Sequence, residues 1–301
     1  MKTELIINQT AGGGKPKKLV PEILNIFDSM NFPYHVSWTT SPGKATDLAR
    51  QAADNGTERI VSIGGDGTIN EIINGILTAK NQPSLGIIPA GWANDFIKST
   101  SIPNDIYQAC QIIKEGKTKK IDLGLINQQT YFANVCGIGF DAEITALANQ
   151  IKTDHPIWKS LSTYVYVFAA IKKLLSPIPS FQLKITIDNR VIEKEVLFLA
   201  IGNGRVEGGK FNIAPEANID DGLLDVWIIQ KMTRKRCLWL LPKAIKGTHK
   251  DAPEVNFFRG KNILIEASEP ITAQVAGEIL IPQKKYQIEI LPKKLDLLTP
   301  Q

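Results

Sequence analysis

The residue types best suited to chemistry lie in a glycine-rich segment, IGGDGTINE at residues 63–71, which links a β-branched run to an amphipathic one. Glycines let a backbone approach a phosphate closely, and a helix that begins there presents free N–H groups to an anion. Asp66 among these glycines repels a bare phosphate but binds one through Mg²⁺. The segment therefore predicts a nucleotide-phosphate site with a metal ion, although an arbitrary Gly-Gly pair would indicate a tight turn without a ligand. It lacks the Gly-Lys-Ser/Thr ending of a P-loop.

Two further loops repeat the combination of a strand end with a carboxylate. The sequence IIPAGWANDF at 87–96 contains Asn94 and Asp95, and IDLG at 121–124 contains Asp122. An earlier loop, NQTAGGGK at 8–15, supplies a flexible glycine turn and one cation. Each loop alone is weak evidence, but carboxylates at successive strand ends of one sheet would converge on a site able to hold Mg-ATP.

The alternation of apolar runs with amphipathic stretches predicts the elements that position these loops. Strands and helices alternate over residues 1–124, which predicts a doubly wound parallel sheet that binds nucleotide at the carboxyl ends of its strands. Strands dominate from 125 to 291, interrupted by helical stretches at 160–175 and 234–245, so an antiparallel, β-sandwich-like domain is predicted there. The fold class is therefore α/β plus β.

Length and composition favour two globular domains. The 301 residues include 43% hydrophobic and 22% charged residues, with no low-complexity tract. No apolar run approaches the roughly 18 residues that span a bilayer, and Met1 is not followed by a signal-peptide core, so we expect a cytoplasmic protein. Cys110, Cys136 and Cys237 are odd in number and lack metal-ligand spacing, which argues against a disulfide framework and a zinc site.

Much of the net charge of +5 is concentrated in clusters. The cations group near the first glycine loop and along the second helical stretch of the β domain, at Lys15, Lys17, Lys18, Lys231, Arg234, Lys235, Arg236, Lys243, Lys246 and Lys250. Such clusters form a solvated face in many proteins, and they also suit an anionic membrane surface or phosphates. Composition alone does not choose between these interpretations.

In their order and as a set, the loops resemble the nucleotide-site motifs of the bacterial-type diacylglycerol kinase catalytic-domain family, a family of lipid kinases. Later segments resemble the family too: YFAN at 131–134, GIGFDA at 137–142, GNG at 202–204, GG at 208–209, AP at 214–215 and DDGLLD at 220–225. The resemblance implies an ATP- and Mg²⁺-dependent enzyme that phosphorylates the hydroxyl of a lipid such as diacylglycerol. It also implies that the 125–291 domain takes the lipid and that the tail, 292–301, packs back on the first domain.

The resemblance assigns site residues as well. It implies nucleotide contacts by the glycine loops and their neighbours, at Asn8, Thr40, Gly64, Gly65, Gly67, Thr68, Glu71, Gly91, Trp92 and Asn94. It implies that Asp66, Asp95 and Asp122 organise Mg²⁺ and water, with Asp66 also catalytic. It further implies a peripheral structural metal at Asp221 with backbone carbonyls near Asn218 and Leu223, for which the alternative is a plain β-turn.

Two positions depart from the family pattern. The family ends its catalytic constellation with Asp-Gly-Glu, whose Asp is taken as the base on the lipid hydroxyl, whereas this chain has Ala276, Gly277 and Glu278. A methyl group accepts no proton; Glu278 would share a strand face with Ala276 if the segment stays extended, and would then be the substitute base. The second departure is Trp92 in place of a small Thr. Its indole either fills part of the nucleotide pocket or lies along the surface and stacks on a ligand ring.

Three functions therefore compete. The first is a lipid kinase that docks on a membrane through its basic patches, with a membrane lipid as substrate and no nucleic acid as partner. The second is a lipid- or nucleotide-binding protein that kept the fold and lost turnover. The third, a kinase for a soluble cofactor such as NAD, fits the later motifs poorly. The three histidines have no partner at catalytic spacing, Trp158, Trp227 and Trp239 are expected as core or interface anchors, and the oligomeric state stays open, a homodimer included.

Overall fold

A computed structural model describes residues 2–155 and 162–300, and it divides the chain into two compact units. The first unit comprises Met1–Ile121 with Lys293–Gln301, and the second comprises Asp122–Pro292. Trp158 and the start of the helix expected from residue 160 lie outside the described residues.

The first unit is built on a parallel sheet, as the alternating pattern predicts. Its four strands lie in the order β2-β1-β3-β4, and all three pairings are parallel. They are β1 (Thr3–Ile7), β2 (His35–Trp38), β3 (Arg59–Gly64) and β4 (Ser84–Pro89). Leu297 from the C-terminal segment pairs in parallel register with Leu85 of β4. The strand β5 (Thr118–Ile126) begins in this unit and continues into the second.

Four helices connect these strands: α1 (Lys15–Ser29), α2 (Lys44–Asp54), α3 (Asp66–Leu77) and α4 (Ile106–Glu115). Their apolar faces complete the core, in which Val20, Ile23 and Phe27 of α1 pack with Leu5 of β1 and Val61 of β3. Such a stripe at helical spacing is what makes an amphipathic helix stable on a sheet. The fold class predicted for this half is confirmed.

The second unit is a set of antiparallel strands, again as predicted. They are β6 (Thr130–Phe132), β7 (Val135–Gly139), β8 (Phe181–Ile187), β9 (Arg190–Gly202), β10 (Leu224–Gln230), β11 (Val255–Gly260), β12 (Asn262–Ile271), β13 (Ala273–Val275), β14 (Glu278–Ile279) and β15 (Gln283–Leu298). The long strand β9 pairs with β7, β8 and β10. Ile185, Leu199 and Ile265 point to one face of the sheet and form one core cluster, while their neighbours along each strand point to the other face.

In the described part of this unit, three helices cover its other apolar face: α5 (Phe140–Asp154), α6 (Ser162–Leu175) and α7 (Arg234–Lys246). Helix α5 is absent from the sequence-based prediction. Polar residues interrupt its apolar stripe, and its first residues belong to the segment GIGFDA, which is interpreted as a glycine motif. Helix α7 is predicted well, since Thr233 caps it by accepting from the Arg236 N–H and Gly247 ends it in a left-handed conformation. Trp227 is fully buried, as expected, whereas Trp239 of α7 is 46% exposed.

None of the helices within residues 2–155 and 162–300 combines the length and the apolar character that a membrane span requires.

Candidate functional site

Three loops of the first unit meet at the carboxyl ends of its strands. Asn8 donates from Nδ2 to the Thr68 hydroxyl at 3.0 Å, which ties the first loop to the start of α3. A Cβ added to Gly91 would lie 2.5 Å from the Gly65 Cα, and one added to Gly12 would lie 2.7 Å from the Ala90 carbonyl oxygen. Only glycine permits these approaches, so the glycines bring three backbone segments into contact and leave their edges open to a ligand.

The amino terminus of α3 carries the groups expected to hold phosphate. Asp66, Gly67 and Thr68 form its first turn, and Gly65 before them makes no side-chain cap. The N–H groups of a first turn have no intrahelical acceptor, so they suit an anion. Thr68 is buried because its side chain fills the space above Gly64, where a Cβ would come within 2.6 Å of the Thr68 hydroxyl oxygen.

Two carboxylates, Asp66 and Asp95, lie beside this turn. Asp66 Oδ1 accepts from the Phe96 N–H at 2.8 Å, and the buried Asp95 pairs with Lys98 at 2.7 Å. Burial, followed by the negative charge of Asp95, raises the pKa of Asp66 to about 6. Two like charges held together in a poorly hydrated place favour a cation nearby.

The donor set suits Mg²⁺ bound together with a nucleotide. Within the described residues, no three His, Cys, Asp or Glu side chains form a group that could hold a metal by themselves. Mg²⁺ in phosphate sites is bound through one or two carboxylates, with phosphate oxygens and waters as the remaining ligands. Asp66 and Asp95 would supply those carboxylates.

Trp92 lies at the surface next to the first glycine loop. Its side chain is 44% exposed, and its ring atoms lie 3.5 Å from the point where a Cβ on Gly13 would stand. Of the two arrangements left open by the sequence, the indole therefore lies along the surface. One ring face beside an open glycine turn is suited to stacking on a nucleotide base.

The other residues expected at the nucleotide have different surroundings. Asn94 Oδ1 accepts from the Gly91 N–H at 3.0 Å and so shapes the loop itself. Glu71 lies one turn further along α3, where its Oε2 accepts from the Ala45 N–H at the start of α2. Thr40 is exposed just beyond the end of β2. Glu71 therefore joins two helices rather than lining the glycine loops.

Asp122 lies in the middle of β5 and not at the end of a strand as expected, and its convergence with Asp66 and Asp95 stays a prediction. It lies in the second unit, is fully buried, and its Oδ2 accepts from the Gly222 N–H at 2.6 Å. Asp221 is exposed, and its Oδ1 accepts from the Leu223 N–H at 3.0 Å. That bond is the pattern of an Asx-turn in the segment from the exposed Asn218 to Leu223, and the structural metal implied at Asp221 stays a prediction.

The segment with Ala276 is a tight hairpin turn, not an extended strand. Val275 pairs with Glu278, and Ala276 and Gly277 between them have φ of 50° and 86°. Positive φ at both central residues is the pattern of a type I′ turn, for which Asp-Gly and Asn-Gly are favoured sequences. The condition for Glu278 to share a strand face with Ala276 therefore fails, and the exposed Glu278 lies opposite Val275 instead.

Replacing Ala276 by asparagine should stabilise the protein by about 1 kcal/mol, because an L-residue with a Cβ is strained at positive φ and asparagine tolerates this region better than alanine. Urea unfolding with a probe of the second unit measures the change. Gly277→Ala is the matched control and should lower the stability, since it places a Cβ on a residue with φ of 86°. An Ala276→Asn protein with an unchanged or lower midpoint would contradict this account of the turn.

A pocket in the second unit was not predicted from the sequence. It opens among α5, α6, α7 and the covered sheet face, and its cavity volume is about 110 Å³. Its walls are mainly apolar and include Phe140, Ile144, Tyr166, Leu174, Leu197, Phe198, Phe211, Ile229, Met232, Leu240 and Leu241. Two carboxylates, Asp141 and Glu207, also line it. Asp141 falls within the GIGFDA match, but only the fold shows that it faces a cavity.

Comparisons with known proteins agree with this two-part architecture. A family model described as "Diacylglycerol kinase catalytic domain" matches residues 2–126, and one described as "YegS C-terminal NAD kinase beta sandwich-like domain" matches 134–299. The chain is 29% identical over 279 residues to a diacylglycerol kinase of Bacillus subtilis, which covers 92% of this chain and 89% of the relative. It is 30% identical over 280 residues to one of Staphylococcus carnosus, with 92% and 88% covered. The crystal structure of a diacylglycerol kinase from Bacillus anthracis superimposes with a TM-score of 0.79 at 28% identity, covering 99% of this chain and 97% of that one.

Proposed function

This chain belongs to the diacylglycerol kinase family, and from that membership we propose that it transfers the γ-phosphate of ATP, with Mg²⁺, to the hydroxyl of a diacylglycerol-like membrane lipid. The observation that carries the proposal is the meeting of three glycine loops around the first turn of α3, with Asp66 and Asp95 beside it. Phosphoryl transfer depends mainly on positioning and charge stabilisation, and this arrangement supplies both.

In this proposal the first unit binds the nucleotide. The first-turn N–H groups of α3 bind phosphate oxygens, while the Asn8 to Thr68 hydrogen bond holds the loops together. Asp66 and Asp95 hold the Mg²⁺, which would neutralise charge on the phosphates. Trp92 stacks on the base from the surface side.

The second unit binds the lipid, since the apolar lining of its pocket is suited to an acyl chain. The pocket is lined mainly by aliphatic and aromatic side chains, and burying such a chain is favourable by roughly 0.8 kcal/mol per CH₂ group. Tyr166 and Leu174 of α6 and Leu240 of α7 form part of its wall. The proposal therefore assigns the specificity for an apolar acceptor to these helices.

We further propose that α6 and α7 rest on the membrane surface from the cytoplasmic side. Both helices expose apolar side chains on the side away from the pocket, at Tyr164, Phe168, Ile171, Leu175, Leu238 and Trp239. The exposed Arg234 and Lys235 lie beside them, and Arg236 and Lys243 flank the Trp239 ring at 4.0 and 3.7 Å. Apolar side chains among cations suit an interface with anionic lipid.

Vesicle binding tests this surface. The double variant Phe168→Ala with Trp239→Ala is expected to lower the fraction that sediments with phosphatidylglycerol vesicles by about tenfold or more, because two aromatic side chains no longer enter the interface. Tyr107→Ala is the control, since Tyr107 is a similarly exposed aromatic residue of the first unit. Equal sedimentation of the double variant and the wild type would refute the surface.

The second candidate is a binding protein that lost turnover, and Ala276 at the position of the usual base favours it. Calorimetry with ATP, with and without Mg²⁺, is the first measurement, followed by transfer of labelled phosphate to a panel of diacylglycerol, sphingoid base and phosphatidylglycerol. Mg²⁺-dependent ATP binding with a labelled lipid product supports the kinase. Binding without product on any lipid supports the second candidate, and no ATP binding would exclude the kinase.

A further inference from the structure

The two carboxylates of the apolar pocket are held in one cluster with Gln274. The Gln274 amide donates from Nε2 to Asp141 Oδ2 at 3.0 Å and also contacts Glu207 Oε1. Gln274 is fully buried, so its amide is fixed by these contacts. Acidic residues that share a donor at the wall of an otherwise apolar cavity form the polar end of that cavity.

The same glutamine joins the cluster to the turn that carries Ala276. Its Oε1 accepts from the Gly277 N–H at 3.1 Å, and Asn149 of α5 donates to the Gly277 carbonyl at 2.8 Å. The position opposite Gln274 on β7 is Gly137, where a Cβ would lie 1.7 Å from Asp141 Oδ2. Only the Gln274 side chain therefore separates the Asp141 carboxylate from the turn at Ala276 and Gly277, where the family has its base. The carboxylate occupies space that a side chain at position 137 would fill.

His249 is another polar residue in the wall of the pocket. His249 lines the pocket and is 1% exposed, and its Nε2 lies 3.1 Å from the Ile213 carbonyl oxygen, to which it must donate. The backbone of Lys243 also interacts with the ring, and like the Ile213 carbonyl it favours a ring nitrogen that carries a proton. Burial lowers the pKa of His249, which favours the neutral ring.

We propose that Asp141, oriented by Gln274, is the residue that binds the acceptor hydroxyl of the lipid and takes its proton, in the role for which Ala276 has no functional group. This inference rests on the proposed kinase function. One carboxylate oxygen is bound by the Gln274 amide, and a carboxylate has about four lone-pair sites, so it retains capacity for a hydroxyl. Burial raises the pKa of Asp141 to about 6, close to the range in which a general base works best at neutral pH.

The step balances as follows. The lipid O–H bond breaks and its proton goes to Asp141, while the lipid oxygen forms a bond to the γ-phosphorus of ATP. The bond from that phosphorus to the bridging oxygen breaks, and its electron pair leaves with ADP. Asp141 then releases the proton to water.

Turnover of Asp141→Asn is the first test, because asparagine keeps the shape and accepts no proton. Its kcat for diacylglycerol should fall about 10²-fold, the lower end of what a general base supplies, with KM for ATP unchanged. In an Ala276→Asp background the same change should cost much less, because the new aspartate takes the proton. A merely structural role of Asp141 predicts an equal loss in both backgrounds, and that result would overturn the proposal. The control is Glu269→Gln, a strongly exposed carboxylate of the same unit, which should retain wild-type kcat.

Lipid binding keeps the proposal testable if the wild type turns out not to transfer phosphate. The wild type should bind dioctanoylglycerol about tenfold more tightly than the analogue whose hydroxyl is methylated, because a hydrogen bond to a charged group is lost. Asp141→Leu should remove that preference. Equal binding of both lipids by the wild type would overturn the role of Asp141 whether or not the kinase function holds. Binding of neither lipid would overturn both.

Discussion

Replacing Asp66 by asparagine is expected to lower lipid phosphorylation by about 10²–10³-fold, the loss typical for one charge-stabilising group of an active site. The side chain keeps its shape, and its Oδ1 still accepts from the Phe96 N–H. What is lost is the negative charge that would hold Mg²⁺ at the start of α3. Initial rates with labelled ATP and diacylglycerol in mixed micelles measure the effect. Added Mg²⁺ should restore only part of the rate, because one of its two carboxylate ligands is gone.

The stability of the same variant separates a catalytic role from damage to the fold. A carboxyl whose folded-state pKa is raised contributes stability below its unfolded pKa and loses it as the pH rises through the folded pKa, here about 6. Charged Asp66 therefore opposes folding at neutral pH, and Asp66→Asn should melt at the same or a higher temperature than the wild type at pH 8 without Mg²⁺. Asp47→Asn, in the first turn of α2, is the matched control: it should leave the rate unchanged and lower the melting temperature slightly, because Asp47 pairs with Arg50. An Asp66→Asn protein with wild-type activity would rule out the proposed site.

Replacing Ala276 by aspartate is expected to raise lipid phosphorylation by about tenfold or more, since a positioned general base supplies 10²–10⁴ and Asp141 is proposed to recover only part of it. The turn is suited to the change, because Asp-Gly is a favoured sequence for the type I′ geometry of Ala276 and Gly277. Rates on the lipid panel, with wild type and variant side by side, provide the measurement.

The asparagine variant is the control for this gain. Ala276→Asn fits the turn equally well and removes the same backbone strain, yet it accepts no proton. If aspartate and asparagine raise the rate equally, the gain comes from a better formed turn and not from a base. If neither raises it, the absence of the usual aspartate is not what limits this protein.

The elements of the first unit follow from local patterns. The β-branched runs of β1, β3 and β4 and the apolar stripe of α1 are visible in the sequence, because burial on both faces of a sheet and on one face of a helix imposes these patterns. The glycine loops are equally visible, since close backbone approach requires a residue without a side chain. Helix α5 and strand β11, both in the second unit, are missed by the pattern; α5 depends on packing against another helix, with Ala148 in one cluster with Val165 and Ala169 of α6.

The chemistry of the second unit depended on contacts that no spacing predicts. Asp122 reads as a third carboxylate at a strand end, but its carboxylate accepts from the Gly222 N–H, one hundred residues further along the chain. Glu278 reads as a neighbour of Ala276 on one strand face, but two residues with positive φ turn the chain between the strands.

The glycine-rich segment at residues 63–71 gave the clearest signal in the sequence. It lies at the start of a helix, as predicted, and a second carboxylate, that of Asp95, lies near Asp66. By itself the sequence determined the alternating elements of the first unit, the glycine loops and the missing aspartate, because each is a local property of residue types. Only the tertiary structure decided that Asp141, Glu207 and Gln274 meet at the polar end of an apolar pocket. Their meeting depends on the pairing of β7 with β13, residues separated by more than a hundred positions, and on the space that Gly137 leaves for a carboxylate.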